Sequence, residues 1–251
     1  TTRTPEKLAD FAARGVDVRR ADFDDPSTLT SAFAGADRLL LISTEIFGEQ
    51  RVRQHLNAVK AAEEAGVQHV IYTSLVNPGA ESPVILAPDH AATEKALTES
   101  SMSWTALRNN VYMDELPSQL AQAVSMGTRF SAAGDGKIGY VLREDCAQAA
   151  AAVLFSSFAG RQTLDVTGPE AVSQAELAQI ISELSGKPVE YVALPLDVYV
   201  DNLVQVGLPR PIADLIASFD TAAAQGVLDV VSNTVETLSG KKPTSAREYL
   251  A

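Results

Sequence analysis

Two continuous apolar segments constrain this chain more than any other feature. Arg38-Leu39-Leu40-Leu41-Ile42-Ser43 and Val70-Ile71-Tyr72-Thr73-Ser74 show no polar alternation, and helical spacing follows each of them. A strand with one wet face alternates apolar and polar residues. A continuous apolar run is buried on both faces, as in a parallel sheet covered by helices.

The punctuation around these runs extends the pattern. Thr4 is placed to cap a helix, with Pro5 at its first position, Leu8 and Phe11 as its apolar stripe and Gly15 at its end. Val16 to Ala21 reads as a strand. Asp25-Pro26 starts a second helix, which carries Leu29 and Phe33 and stops at Gly35. A third helix runs from about Gln50 to Ala65, with Val52, Leu56 and Val59 on one face. Asp89 to Glu99 reads as a helix and Trp104 to Leu107 as a strand. Parallel strands need helical crossovers, so the fold class is α/β, a Rossmann-like doubly wound parallel sheet. Such sheets bind ligands beyond the carboxyl ends of their strands. The residues there are Asp22, Ser43-Thr44, Thr73-Ser74 and Arg108-Asn109.

The second half is less regular. Met126 to Tyr140 reads as a glycine-rich turn region, Asp145 to Phe155 as a helix and Leu164 to Val166 as a short strand. Ser173-Gln174-Ala175-Glu176 is a capping box opening a helix with Leu177, Ile181 and Leu184, which Gly186 ends. Val189 to Leu194 reads as a strand, and the remainder as mainly helical. Residues 1–126, with 140–166 returning to them, are expected to form a dinucleotide-binding domain. Residues 127–139 and 167–251 are expected to form a smaller α/β substrate lobe.

Charge and cysteine content narrow the partners. Lys and Arg number 20 against 32 Asp and Glu, a net charge of −12. That balance disfavours nucleic acid and anionic membrane surfaces. Cys146 is the single cysteine, so no internal disulfide or cysteine-cluster metal site is possible. The expected setting is cytoplasmic.

Gly134-Asp135-Gly136-Lys137-Ile138-Gly139 fits the dinucleotide glycine string, but it precedes a strand instead of following one and opening a helix. Asp135-Gly136 there reads as a hairpin turn. Arg3 serves either as the arginine that meets a 2′-phosphate of NADP or as a solvated base. Asp22-Phe23 either flanks an adenine ring or caps a helix and packs. Ser43-Thr44 either bonds cofactor or forms an ordinary loop. His55, His69 and His90 lack metal-ligand spacing and read as structural or solvent-facing; no metal site is expected. No G-x-S-x-G elbow occurs.

The chain resembles the NmrA-like atypical short-chain dehydrogenases. The resemblance runs nearly its full length through Arg3-Thr4-Pro5-Glu6-Lys7, Leu39 to Ser43, Tyr72-Thr73-Ser74-Leu75, Thr93-Glu94-Lys95, Leu107-Arg108-Asn109 with Tyr112, Ala132 to Ile138, Gly207-Leu208-Pro209 and Leu238-Ser239-Gly240. It implies an NADPH-dependent reductase, with NADH also accommodated, passing hydride directly to a quinone-like or conjugated acceptor. The alternative it offers is a non-catalytic NADP(H)-sensing regulator, and a homodimer is compatible with either. By the same resemblance Arg3 holds the 2′-phosphate and Ser43 lies along the cofactor. Tyr72, Thr73 and Ser74 lie near the nicotinamide half, and Lys95, the catalytic candidate, near its ribose. From their positions just after the strands, Asp22, Phe23, Thr44 and Arg108 are added to the expected cofactor set, while Asn109, Tyr112 and Glu115 are expected to border the acceptor.

Three departures stand out. Ala91 occupies the position four before Lys95, where typical short-chain dehydrogenases place a tyrosine proton donor. Glu115 stands where quinone-reducing relatives can carry Asn, and an ionised carboxylate only accepts hydrogen bonds. Family members also begin with a strand, a G-x-x-G-x-x-G loop and a helix. This chain opens at Thr1 without them, so about 30 residues of an incomplete or processed chain are expected ahead of it.

Overall fold

Strand β2 (His69–Leu75) is buried along almost its whole length, as its unbroken apolar sequence predicts. In the computed structural model, which describes residues 1–251, it pairs in parallel with β1 (Arg38–Leu41), Leu41 lying opposite Tyr72. With β3 (Ser103–Asn109) and β6 (Arg161–Val166) they form a four-stranded sheet in the order β1-β2-β3-β6. The chain divides into two compact units, residues 1–73, 89–106 and 154–163 in the first and residues 74–88, 107–153 and 164–251 in the second. No helix is long and apolar enough to cross a membrane.

The first unit packs Leu29, Phe33, Leu41, Val59, Val70, Tyr72, Leu97 and Trp104 into one core. Its helices are α1 (Ala9–Ala13), α2 (Leu29–Phe33), α3 (Glu49–Glu64) and α4 (Ala87–Glu99), the last of which begins in the second unit. Several local expectations change. Thr4 makes no side-chain cap, and Pro5–Leu8 forms a 3₁₀ turn before α1. Phe11 is exposed, because α1 buries none of its residues. Val16 to Ala21 is not a strand. Only Arg20 bridges, to Thr2, and a strand needs a continuous ladder of backbone partners. Strand β1 lies at the sheet edge, so only Leu41 is fully buried, and Ile42 beyond it is exposed. On α3 the buried face is Arg51, Gln54, His55, Ala58, Val59 and Ala62. Leu56 faces solvent, while on the buried face Arg51 bonds His90 and His55 bonds Thr93.

The second unit has its own core, around Met113, Leu116, Leu120, Ile138, Leu177, Ile181, Val189 and Leu228. The presumed turn region contains the end of α5 (Leu116–Met126), then β4 (Thr128–Ser131) and β5 (Lys137–Ile138). Asp135-Gly136 does not close a hairpin, because the two strands take different partners. Strand β4 pairs in parallel with β8 (Glu190–Ala193), and β5 antiparallel with β7 (Val172–Ser173). The glycines there permit close backbone approach. A Cβ on Gly136 would lie 2.2 Å from the Ala223 carbonyl oxygen, and one on Gly139 2.1 Å from that of Val230. Helix α6 (Arg143–Phe155) follows. The capping box of Ser173 and Glu176 opens α7 (Gln174–Ser185), which Gly186 ends with φ +67°. Leu177 and Ile181 are buried on α7, whereas Leu184 is exposed. Helices α8 (Leu196–Gln205), α9 (Arg210–Ala224), α10 (Thr234–Ser239) and α11 (Ala246–Leu250) complete the unit.

Candidate active site

In the first unit, the parallel pairing of β1 and β2 brings Ser43 beside Thr73. The Ser43 N–H donates to Thr73 Oγ1 at 2.9 Å, and the two hydroxyls lie 3.4 Å apart. Both residues, and Thr44, are half-buried. Two polar groups are thus side by side at the carboxyl edge, where parallel sheets bind ligands. Arg3 is exposed and makes no hydrogen bond or ion pair. It is a free cation in an acidic chain.

The other sequence-derived residues of this unit are occupied locally. Asp22 Oδ1 accepts the Asp24 N–H at 3.0 Å and closes a turn, while Phe23 packs on the core. Lys95 is exposed on α4 and pairs with Glu99 one turn on, at 3.7 Å. Tyr72 is completely buried. Its hydroxyl meets His90 Nδ1 at 2.8 Å, so the phenol points into the core and not to the sheet edge.

Tyr72 belongs to a polar network that the sequence reading missed. Arg51 reaches His90 Nε2 at 3.1 Å. His55 Nδ1 lies 3.0 Å from Thr93 Oγ1, and Thr93 donates to the Asp89 carbonyl at 2.9 Å. His55 Nε2 accepts the Thr44 N–H at 3.1 Å, and Asp89 Oδ2 accepts the Gly48 N–H at 2.8 Å. Burial, with the Arg51 charge adding to it, lowers His55 to about 4 and His90 to about 2. Both rings are neutral at pH 7. The available signal was the one-turn spacing of Arg51 with His55 and of Asp89 with Thr93, which puts each pair on one helix face.

In the second unit, Ser74 is buried and Arg108 half-buried. Asn109, 4% exposed, donates its amide to the Tyr112 hydroxyl at 2.9 Å. Its Oδ1 is a buried acceptor with no partner. Burial, then the neighbouring Cys146, pushes the Tyr112 phenol above its ordinary value, so it keeps its proton at neutral pH. The Arg143 guanidinium lies over the Tyr112 ring, 5.2 Å from its centre, and binds Glu115 at 2.7 Å. No sequence pattern singled out Arg143.

A profile of the NmrA-like family matches residues 2–250. The chain belongs to the NmrA-like family. This NmrA-like chain is 39% identical over 249 residues to quinone oxidoreductase 2 of Escherichia coli (strain K12), covering 99% of this chain and 86% of that protein. It is 29% identical to the NAD(P)H azoreductase of Xenophilus azovorans, over 98% of this chain and 86% of the azoreductase. Among solved structures, the NADPH-dependent quinone oxidoreductase of Escherichia coli complexed with NADPH superposes with a TM-score of 0.94. The identity is 38%, over 99% of this chain and 87% of that one. The triphenylmethane reductase of Citrobacter sp. complexed with NADP(H) gives 0.92 at 34% identity, covering 99% and 87%. The fold of this NmrA-like chain is the Rossmann-like α/β sheet that its apolar strands predicted.

Proposed function

We propose that this NmrA-like chain is an NADPH-dependent oxidoreductase reducing quinone-like or otherwise conjugated acceptors by direct hydride transfer. The observation that carries the reading is its near-complete likeness, at 38% identity, to a quinone oxidoreductase solved with NADPH.

The chain's own residues fit that cofactor. Arg3 has no competing carboxylate and would meet the 2′-phosphate; this favours NADPH over NADH. Ser43, Thr44 and Thr73 offer hydroxyls along the carboxyl edge. Asp22 and Phe23 would flank the adenine, and Ser74 and Arg108 would serve the nicotinamide half. Lys95 would serve the ribose, since breaking an exposed pair with Glu99 costs little. Tyr72 supports that edge from within the core. In this reading residues 1–126 and 140–166 carry the dinucleotide, and 127–139 and 167–251 shape the surroundings of the acceptor.

When bound, the nicotinamide supplies the hydride. The protein binds, orients and excludes water. Ala91 offers no proton four residues before Lys95, which suits an acceptor that delocalises its charge. Asn109 Oδ1, buried and unpaired, is an acceptor awaiting a donor, and Tyr112 holds the amide in place. The acceptor is expected beside Asn109, Tyr112 and Glu115.

The test is NADPH consumption followed at 340 nm with para-quinones. Consumption only when chain, NADPH and quinone are all present is expected. No turnover with several quinones, azo dyes and triarylmethane dyes would overturn the reading.

A further inference from the structure

We propose that His55 is a positioning residue for the cofactor: its Nε2 holds the Thr44 backbone N–H and so fixes the loop that presents Ser43 and Thr44. The inference rests on the NADPH reading above, and it concerns a residue that does not itself touch ligand, being fully buried.

The loop 42–48 joins β1 to α3, and none of its residues is buried. With no apolar anchor, its path is set by backbone hydrogen bonds. Three are present: Ser43 N–H to Thr73 Oγ1, Thr44 N–H to His55 Nε2, and Gly48 N–H to Asp89 Oδ2. The middle one lies directly at the residues assigned to the cofactor.

Counting protons fixes its sense. Arg51 can only donate, so His90 Nε2 accepts and His90 Nδ1 carries the proton to the Tyr72 oxygen. Thr44 N–H can only donate, so His55 Nε2 accepts and His55 Nδ1–H points to Thr93 Oγ1. Thr93 then donates to the Asp89 carbonyl. Each of the four ring nitrogens then has a partner of the right sense, and the chain of bonds ends on the helix whose Asp89 also holds Gly48. Burial keeps His55 neutral, which preserves the lone pair this role needs.

A histidine that merely fills the core makes different predictions from one that holds the loop. In the full chain, His55→Leu should weaken NADPH binding about tenfold, the worth of one lost hydrogen bond. Cofactor fluorescence reads this, and KM for the quinone should move less than about twofold. His55→Gln, whose carbonyl can accept from Thr44, should recover most of the loss. Equal NADPH affinity in wild type and His55→Leu, or a Gln variant as weak as the Leu variant, would overturn the proposal. Two measurements on the wild type need no variant to fold. Ring ¹⁵N shifts should show Nδ1 protonated and Nε2 bare, and the Thr44 amide should exchange more slowly than those of Glu45 and Ile46. A protonated Nε2, or equal exchange across the three, would overturn it. Failure of wild type to bind NADPH would instead sink the cofactor reading, while the ring shifts and exchange would still report on the bond itself.

Discussion

The Arg143 guanidinium binds the Glu115 carboxylate at 2.7 Å while lying 5.2 Å from the centre of the Tyr112 ring. Glu115 thus shares with the Tyr112 ring one neighbour, the Arg143 guanidinium. Both partners are more than half exposed, so the pair adds little stability. Glu115→Gln should leave the melting temperature nearly unchanged and NADPH affinity within about twofold. It should shift KM for the quinone several-fold, as Arg143 loosens over Tyr112. Steady-state kinetics with each substrate varied separately reads the difference.

Acid should destabilise the fold from pH 6.5 downward. His55 and His69 are lowered to about 4 and His90 to about 2, chiefly by burial, so all three bind protons on unfolding. Their contribution is complete above the ordinary value of 6.5 and is lost as pH falls toward the folded values. Each histidine adds a slope of up to about 1.4 kcal/mol per pH unit in that window. Urea unfolding at pH 7.5, 6.5, 5.5 and 4.5 should show a plateau and then a decline. Stability that is flat to pH 4.5 would contradict the buried neutral network.

Asp220 carries the opposite sign. Burial pushes its carboxyl above the ordinary value, although Ala132 N–H and the Ser131 hydroxyl both donate to Oδ2, at 2.7 and 2.8 Å. Its contribution is complete below the unfolded value and is lost as pH rises through the folded one. Asp220→Asn keeps an acceptor without the charge, so it should match or exceed wild-type stability at pH 7. Asp220→Ala strands the buried Ser131 hydroxyl and the half-buried Ala132 N–H and should cost about 1–3 kcal/mol. Chemical denaturation of the pair of variants checks the order.

Close backbone approach accounts for the glycines at 136 and 139. Alanine at either one drives its Cβ into a backbone carbonyl, at 2.2 and 2.1 Å respectively. Each change should cost about 1–3 kcal/mol or more. Gly134, with open space but φ +55°, should cost about 1–2 kcal/mol as alanine. Melting curves of the three variants separate steric from conformational cost.

What the sequence revealed follows from where the information lies. Leu39 to Ile42 and Val70 to Ser74 carry their apolar pattern locally, and Ser173 with Glu176 closes its box within four residues, so sheet and cap were readable. Lone bonds between distant segments were not. Arg51 meets His90 across 39 residues, and Ser131 meets Asp220 across 89. Composition made the histidines of the first unit look incidental because their partners are a tyrosine, a threonine and an arginine. Val16 to Ala21 has strand-like residues, but only Arg20 bridges, to Thr2; propensity does not supply partners. The position of Ser43 and Thr73 at the carboxyl edge was readable because parallel topology dictates where that edge falls.

Direct hydride transfer is the central claim, and isotope transfer tests it most directly. NADPH carrying deuterium at the transferable C4 position is incubated with the full chain and a cationic triarylmethane dye, whose reduction leaves a non-exchangeable C–H bond. The account predicts one deuterium per molecule of reduced dye by mass spectrometry, without added flavin. Reduced dye free of label, or reduction that requires added flavin, would contradict it.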